Sequence, residues 1–266
     1  MKVLVLTSYT PHNVYLVNRL TSKKEIVAKV TENRPLLSSN RQKMEVRKKM
    51  IQKYGLIRTL NKLFYNKYKT VYVNSRSADT VKNLLFPGSR EIKYTLDVPS
   101  IETANINDKK CIDFVSAYNP DIIAVCGTGV IKPEVFRLSR YGTINIHCGI
   151  TPEYRSADPI LWALYNNEPD KVGVTVHFVD EGIDTGDIIY QKAVGVTKDD
   201  NLDALYCKCI KTGAELMIKA IDDIERGEVK TFRKDAVPGR AYYHMDLGIW
   251  QYMNFLRRFK RLKKSL

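Results

Sequence analysis

Five consecutive apolar residues, Ile122-Ile-Ala-Val-Cys126, stand between Asn119-Pro120 and Gly127-Thr-Gly129. A run this short, bounded by turn residues and lacking any polar alternation, reads as a strand buried on both faces, which demands helices above and below the sheet. The chain opens in the same spirit. An apolar run over Lys2–Leu6 ends at Thr7-Ser8, Val14, Leu16, Val17 and Leu20 follow at helical spacing, and Glu25–Thr31 reads as a second strand. Strand, helix and strand in that order predict a parallel arrangement. The expected fold is therefore α/β, a Rossmann-like, mostly parallel twisted sheet with helices on both faces, plus a basic helical insertion and a basic C-terminal helix.

The remaining pattern predicts strands over Val71–Asn74, Ile92–Leu96, Gly142–His147, Val172–Val179 and Ile188–Val194. Helices are predicted over Ala78–Leu85, Asp108–Tyr118, Pro133–Leu138, Ile160–Tyr165 and Asp203–Arg226. Residues 41–70 hold ten Lys or Arg against the single acid Glu45, with apolar residues recurring every three or four positions. One or two amphipathic basic helices are expected there, an insertion over residues 36–69 of a catalytic domain spanning 1–230. Residues 231–266 hold nine Lys or Arg against two acids, interleaved with aromatics, and form a basic extension that ends in a helix over Ile249–Leu266. Such stripes are most often solvated faces. They also suit peripheral membrane or nucleic-acid contact, and the net charge of +14 favours anionic partners without choosing among them.

Five cysteines without a C-x-x-C spacing indicate neither a disulfide framework nor a zinc ribbon, so a reducing cytoplasm is expected. The first residues turn polar too soon for a signal peptide, and no run reaches the ~20 apolar residues of a membrane span.

Chemistry concentrates between Tyr141 and Tyr190. In Gly142-Thr-Ile-Asn145-Ile-His147 the polar side chains alternate with isoleucines and so share one face of a strand. Downstream, Asp180-Glu-Gly182-Ile183-Asp184-Thr-Gly186-Asp187 is a loop dense in carboxylates and glycines. An amide, an imidazole and a carboxylate brought together can polarise a carbonyl and move a proton. Taken alone, an Asn-x-His at a strand end is more often structural. His177, inside a strand, reads as a packed histidine, and His12 and His244 read as surface ones. No metal is expected, since Asn is a poor ligand and no second histidine has ligand spacing. Thr7–Asn13 contains no glycine-rich cradle, although Thr10 and Asn13 sit where a helix N-terminus can receive a phosphate; a plain strand-to-helix turn is the alternative.

The segments Asn145-Ile-His147-Cys-Gly-Ile-Thr-Pro152-Glu-Tyr-Arg155, Gly173-Val-Thr175-Val-His177-Phe-Val-Asp180 and Gly182-Ile-Asp184-Thr-Gly186-Asp resemble the catalytic half of the formyltransferases that use 10-formyltetrahydrofolate. The resemblance covers roughly residues 112–230. It implies a catalytic triad of Asn145, His147 and Asp184. Asn145 and His147 would hold the charge developing on the formyl oxygen, while Asp184, on a mobile, exposed loop, would orient His147 and pass on the amine proton. It also implies a folate site drawing on Gly127, Gly129, Val130 and Ile131 and on Asp180, Gly182 and Ile183. Acceptor contacts are expected from Tyr154 and Arg155, whose guanidinium suits an anion. Ser156 stands where relatives often carry glycine, and Cys148 has no covalent role in formyl transfer. By elimination, against a missing glycine phosphate loop and a missing large C-terminal domain, the expected acceptor is the small amine of a nucleotide-linked amino sugar. Glycinamide ribonucleotide, a hydroxylated ornithine, a folate hydrolase and a catalytically silent docking module are the alternatives.

Overall fold

The computed structural model describes residues 1–33, 39–234, 237 and 239–266; the expected insertion starts within the undescribed 34–38 and the extension includes three further undescribed positions. In chain order the first elements are β1 (Val3–Ser8), α1 (Pro11–Thr21), β2 (Ile26–Glu32), α2 (Asn40–Tyr54), α3 (Leu56–Tyr68), α4 (Asn74–Leu85) and β3 (Ser100–Thr103). Next come α5 (Lys109–Tyr118), β4 (Ile122–Cys126), α6 (Pro133–Phe136), β5 (Thr143–His147), β6 (Arg155–Ser156) and α7 (Pro159–Tyr165). The chain closes with β7 (Gly173–Phe178), β8 (Ile188–Ala193), α8 (Leu202–Arg226), β9 (Ala241–Tyr242) and α9 (Ile249–Ser265).

Seven strands form one sheet in the order β3-β2-β1-β4-β5-β7-β8. The first five are mutually parallel, and β7 runs antiparallel to both β5 and β8. The expected mostly parallel sheet is what forms. Because β4 is central, all five of its residues are buried, which is why its sequence shows no alternation. One face of the sheet packs on α1 and α8, the other on α5 and α6. Order reverses at β1, whose neighbours β2 and β4 connect in opposite directions, and the C-terminal strand ends open a crevice there.

Two predicted strands do not form. Thr70-Val-Tyr-Val73 is β-branched and aromatic, yet Lys69–Val73 is a π-helical turn that carries α3 straight into α4. Tertiary contacts override the propensity: the Tyr68 ring meets Tyr72 at 5.1 Å and Tyr252 at 5.9 Å, and Thr70 donates its hydroxyl back to the Asn66 carbonyl. The Ile92–Leu96 segment is irregular because side chains of α1 and of the turn after β1 take its backbone groups. Asn18 donates to the Lys93 carbonyl and accepts from the Thr95 amide, while the Tyr9 hydroxyl donates to the Ile92 carbonyl. The edge strand is Ser100–Thr103 instead.

The insertion and the extension meet. Helix α2 buries none of its residues, but α3 buries Thr59, Asn61 and Tyr65. Its partner α9 buries Tyr252, Phe255 and Phe259 between α3 and α7. Asn61 donates to Gln251 Oε1 at 2.9 Å and accepts the Trp250 amide at 3.1 Å, filling the space above Gly248, where an added Cβ would lie 2.0 Å from the Asn61 amide nitrogen. Lys62 and Arg58 donate to the carbonyls of Leu247 and Met245. Among the described residues no helix is long and apolar enough to cross a membrane.

Removing the Asn61 amide strands the first turn of α9. Asn61→Ala is expected to lower stability by about 1–3 kcal/mol through the orphaned backbone donor, read as a lower urea midpoint. Amide exchange in residues 249–259 should accelerate most. Unchanged protection there would show that α9 is held independently of α3.

Candidate active site

Pairing with β7 completes what β5 begins. Asn145 and His147 point to the same face by strand alternation, and the antiparallel register sets His177 directly opposite Asn145. The loop after β7 then returns Asp184 over this face. His147 Nδ1 lies 3.3 Å from Asp184 Oδ2, and His177 Nε2 lies 3.4 Å from Asp184 Oδ1. The Ser156 amide donates to Asp184 Oδ2 at 3.0 Å.

The partners fix the ring protons. A carbonyl only accepts, so His147 donates from Nε2 to the Tyr154 carbonyl at 2.8 Å, and His177 donates from Nδ1 to the Phe178 carbonyl at 2.7 Å. In the neutral form the Nε2 lone pair of His177 then accepts from the Asn145 amide at 3.2 Å, which fixes the amide plane. The second Asn145 amide hydrogen faces Asp184 Oδ1 at 3.4 Å, a long contact that an incoming carbonyl oxygen displaces at little cost.

Asp184 departs from the exposed loop residue expected of it. Its side chain is only 13% exposed. Burial alone would raise its pKa, but the charge of His147, the hydrogen bond and charge of His177 and the Ser156 amide together hold it well below the usual carboxylate range. Backbone strain supports this placement: Ser156, Asp158 and Asp184 all adopt left-handed conformations, with φ of 71°, 53° and 51°. The turn associated with glycine thus persists at Ser156, and its amide is aimed at Asp184. Gly149 is required for a different reason. A Cβ there would sit 2.5 Å from the Tyr154 carbonyl and 2.6 Å from His147 Nε2, breaking the contact that orients the ring.

Asn145, His147 and Asp184 line one end of a cleft of about 650 Å³. The same cleft takes in Gly127, Gly129, Val130 and Ile131 on one side and Asp180, Gly182 and Ile183 on the other, so the expected triad and folate positions are brought together. Two backbone groups there are already engaged: the Gly129 amide donates to Glu32 and the Val130 carbonyl accepts from Asn107. Buried Glu32, at the end of β2, also accepts the Ile106 amide and so positions the glycine loop from two strands away. It escaped the sequence reading because only sheet order brings it there.

The expected acceptor residues fall elsewhere. Tyr154 is fully buried, its hydroxyl bonded to Glu168, so its ring faces neither solvent nor cleft. Thr10 caps α1 by accepting the Asn13 amide, and Asn13 spends its side-chain donors on Ser8 and the Gly127 carbonyl. Arg155 donates to the Ile183 carbonyl at 3.2 Å, with its Nε buried and unpartnered. His177, read as a packing residue, is buried but belongs to the site. His244 is exposed, as expected, and lines the cleft. His12 departs from its surface reading, since its Nε2 is buried without a partner. Burial and the neighbouring Cys207 push the Cys148 thiol up to about 12, which leaves it protonated and inert as a nucleophile. Among the described residues no group of three His, Cys, Asp or Glu is placed to hold a metal.

Methionyl-tRNA formyltransferase from Pelotomaculum thermopropionicum is 31% identical over 156 residues, 58% of this chain and 50% of that protein. The enzyme of the same name from Halothermothrix orenii is 38% identical over 162 residues, 60% of this chain and 51% of its own. The chain thus spans about half the length of the curated relatives it matches. A sugar N-formyltransferase structure from a Shewanella species shares the fold, with a TM-score of 0.57, 16% identity, and coverage of 97% of this chain and 87% of that one. The family model described as formyl transferase matches residues 1–221, a span that holds the whole sheet and every residue of the cleft's catalytic end, and the chain belongs to that family.

Proposed function

We propose that this chain is an enzyme that transfers the formyl group of 10-formyltetrahydrofolate to a primary amine on a small anionic acceptor, with a nucleotide-linked amino sugar as the acceptor class. The observation that carries this reading is the convergence of the Asn145 amide, the two imidazoles and the buried Asp184 carboxylate at one end of the cleft. The rest of the cleft fits a flat heterocycle. Val130 and Ile183 present apolar faces that are 64% and 37% exposed, and Gly127, with φ of 74° and a Cβ site only 2.7 Å from the Asn13 side chain, keeps the backbone close to the bound ring.

The bound folate supplies an activated formyl carbon. Asn145 offers an amide hydrogen to the formyl oxygen as charge develops there, a contribution on the order of 3 kcal/mol for one well-placed donor in a water-poor site. A second ring proton on His147 Nδ1 makes its contact with Asp184 a charge-assisted hydrogen bond and directs positive charge at the same end of the cleft. As the bond from acceptor nitrogen to formyl carbon forms, the bond from that carbon to the folate nitrogen breaks. The amine gives up one proton and the folate nitrogen takes one. A carboxylate held as acidic as Asp184 is a weak base, so its part is to carry the counter-charge. The amine proton then leaves through water at the open end of the cleft. The net charge of +14 favours an acceptor that carries negative charge.

Asp184→Asn is expected to lower kcat about a thousandfold or more, while binding of 5-formyltetrahydrofolate changes by no more than a few-fold. Full turnover in that variant would remove the proposed role. Turnover of the wild type, followed as tetrahydrofolate release with a panel of nucleotide-linked amino sugars, glycinamide ribonucleotide, methionyl-tRNA and amino acids, assigns the acceptor. Activity confined to the ribonucleotide or the tRNA would overturn the amino-sugar class.

The same aspartate sets a pH dependence of stability. Its folded pKa is depressed below an ordinary value of about 3.9, so its stabilisation is fully present above that value and is lost as pH falls through the folded pKa. The gap between wild type and Asp184→Asn in urea unfolding should therefore be present at about pH 5 and shrink below about pH 4. A gap that widens below about pH 4 would contradict the geometry.

A further inference from the structure

A second, larger cavity of about 870 Å³ adjoins the cleft and shares Asp158 and Tyr206 with it. Its walls come from α3 and the π-helical turn on one side, α9 on the other, and the starts of α4 and α8 between them. Helix α9 lies beyond the residues matched by the family model.

The lining has two independent characters. Tyr65, Tyr68, Tyr72, Tyr252, Phe255 and Phe259 supply aromatic surface. The hydroxyls of these four tyrosines and of Tyr206 have no hydrogen-bond partner among the described residues, although Tyr65 and Tyr252 are only 6% and 8% exposed. The buried Nε2 of His12, 6.3 Å ring to ring from Tyr206, is unpartnered too. Around the mouth, the side chains of Lys69, Arg76, Lys198, Lys260 and Lys264 make no hydrogen bond or ion pair among the described residues. Two of the three carboxylates that line it are already satisfied, Asp200 by Lys208 and Thr197 and Asp203 by Ser77. An acyl chain would leave the hydroxyls and His12 unpaired, each at a cost of about 1–3 kcal/mol. A planar polar ring on the aromatic surface and multiple negative charges at the mouth answer both characters.

We propose that this cavity receives a nucleoside diphosphate, its base against the tyrosines and its phosphates among the rim cations, with the acceptor amine that it carries passing Asp158 and Tyr206 to reach Asn145. The last clause rests on the formyl-transfer reading; the binding of the nucleotide does not. Asp158 is suited to its place. Its carboxylate has no hydrogen bond or ion pair among the described residues, it stands in a left-handed conformation on the wall between the two cavities, and it can accept a hydrogen bond from the amine as the amine crosses.

Calorimetry on the full chain without folate, at about 0.1 M salt, tests the subsite with UDP, TDP, CDP, GDP and ADP, with inorganic pyrophosphate and with phosphatidylglycerol vesicles as separate arms. At least one nucleoside diphosphate should bind tenfold or more tightly than pyrophosphate. The double variant Arg76→Glu with Lys260→Glu should weaken that binding at least tenfold while leaving 5-formyltetrahydrofolate binding unchanged, which also shows that it folds. Asp158→Asn should leave both binding constants in place and raise the KM for the acceptor. No preference for nucleotide over pyrophosphate, nucleotide binding indifferent to the charge reversal, or binding to vesicles alone would overturn the subsite. Nucleotide binding without any folate binding would instead sink the transfer reading and leave the subsite standing.

Discussion

One buried carboxylate holds the site in register. Asp184 is enclosed by two imidazoles and one backbone amide, and every one of these partners belongs to a different stretch of chain: β5, β7 and the β6 turn. Leaving a carboxylate in such a place is unfavourable unless it is compensated, so the three elements are forced into mutual position wherever Asp184 stays ionised. The left-handed conformations at Ser156 and Asp184 are the local cost of that enclosure. Gly149 is its steric condition, because only a residue without a side chain lets the Tyr154 carbonyl reach His147.

Much of this is legible in the amino-acid sequence. A continuous apolar run marks a strand with both faces covered, and β4 is such a strand; alternation marks a shared face, and Asn145 and His147 share one. The family resemblance placed Asp184 with them, and the cleft gathers all three. What could not be read is anything that depends on which strand lies beside which. His177 sits opposite Asn145 only because β7 pairs antiparallel with β5. Glu32 reaches the glycine loop only because the ends of β2 and β4 flank β1. Likewise Val71–Asn74 looks like a strand in isolation, and its helical state follows from tyrosine contacts with a helix nearly 180 residues away. Asp184 itself was expected to be exposed because its loop is charged, yet the charges around it bury rather than solvate it.

The insertion and the C-terminal helix look dispensable by composition, as two basic stripes of the kind that usually face water. Their polar faces do so in α2, but α3 and α9 turn aromatic and amide side chains toward each other. Their contacts convert two surface segments into the walls of a second cavity whose rim charges at Lys69, Arg76, Lys198, Lys260 and Lys264 make no ion pair among the described residues. A basic stripe on a helix is thus compatible with a built interior one turn away.

The interlock of Asn61 with Trp250 and Gln251 also orders events in time. These partners lie 189 and 190 positions apart. Contacts of such long sequence separation form late, because the loop between them must be closed first and domains fold as synthesis proceeds. On the ribosome, α3 therefore emerges with the aromatic face of Tyr65 and Tyr68 uncovered and keeps it uncovered until α9 has been made. The seven strands of the sheet and the residues at the catalytic end of the cleft all precede α9 in the chain. In the interval the tyrosine face is open to chaperones and to self-association.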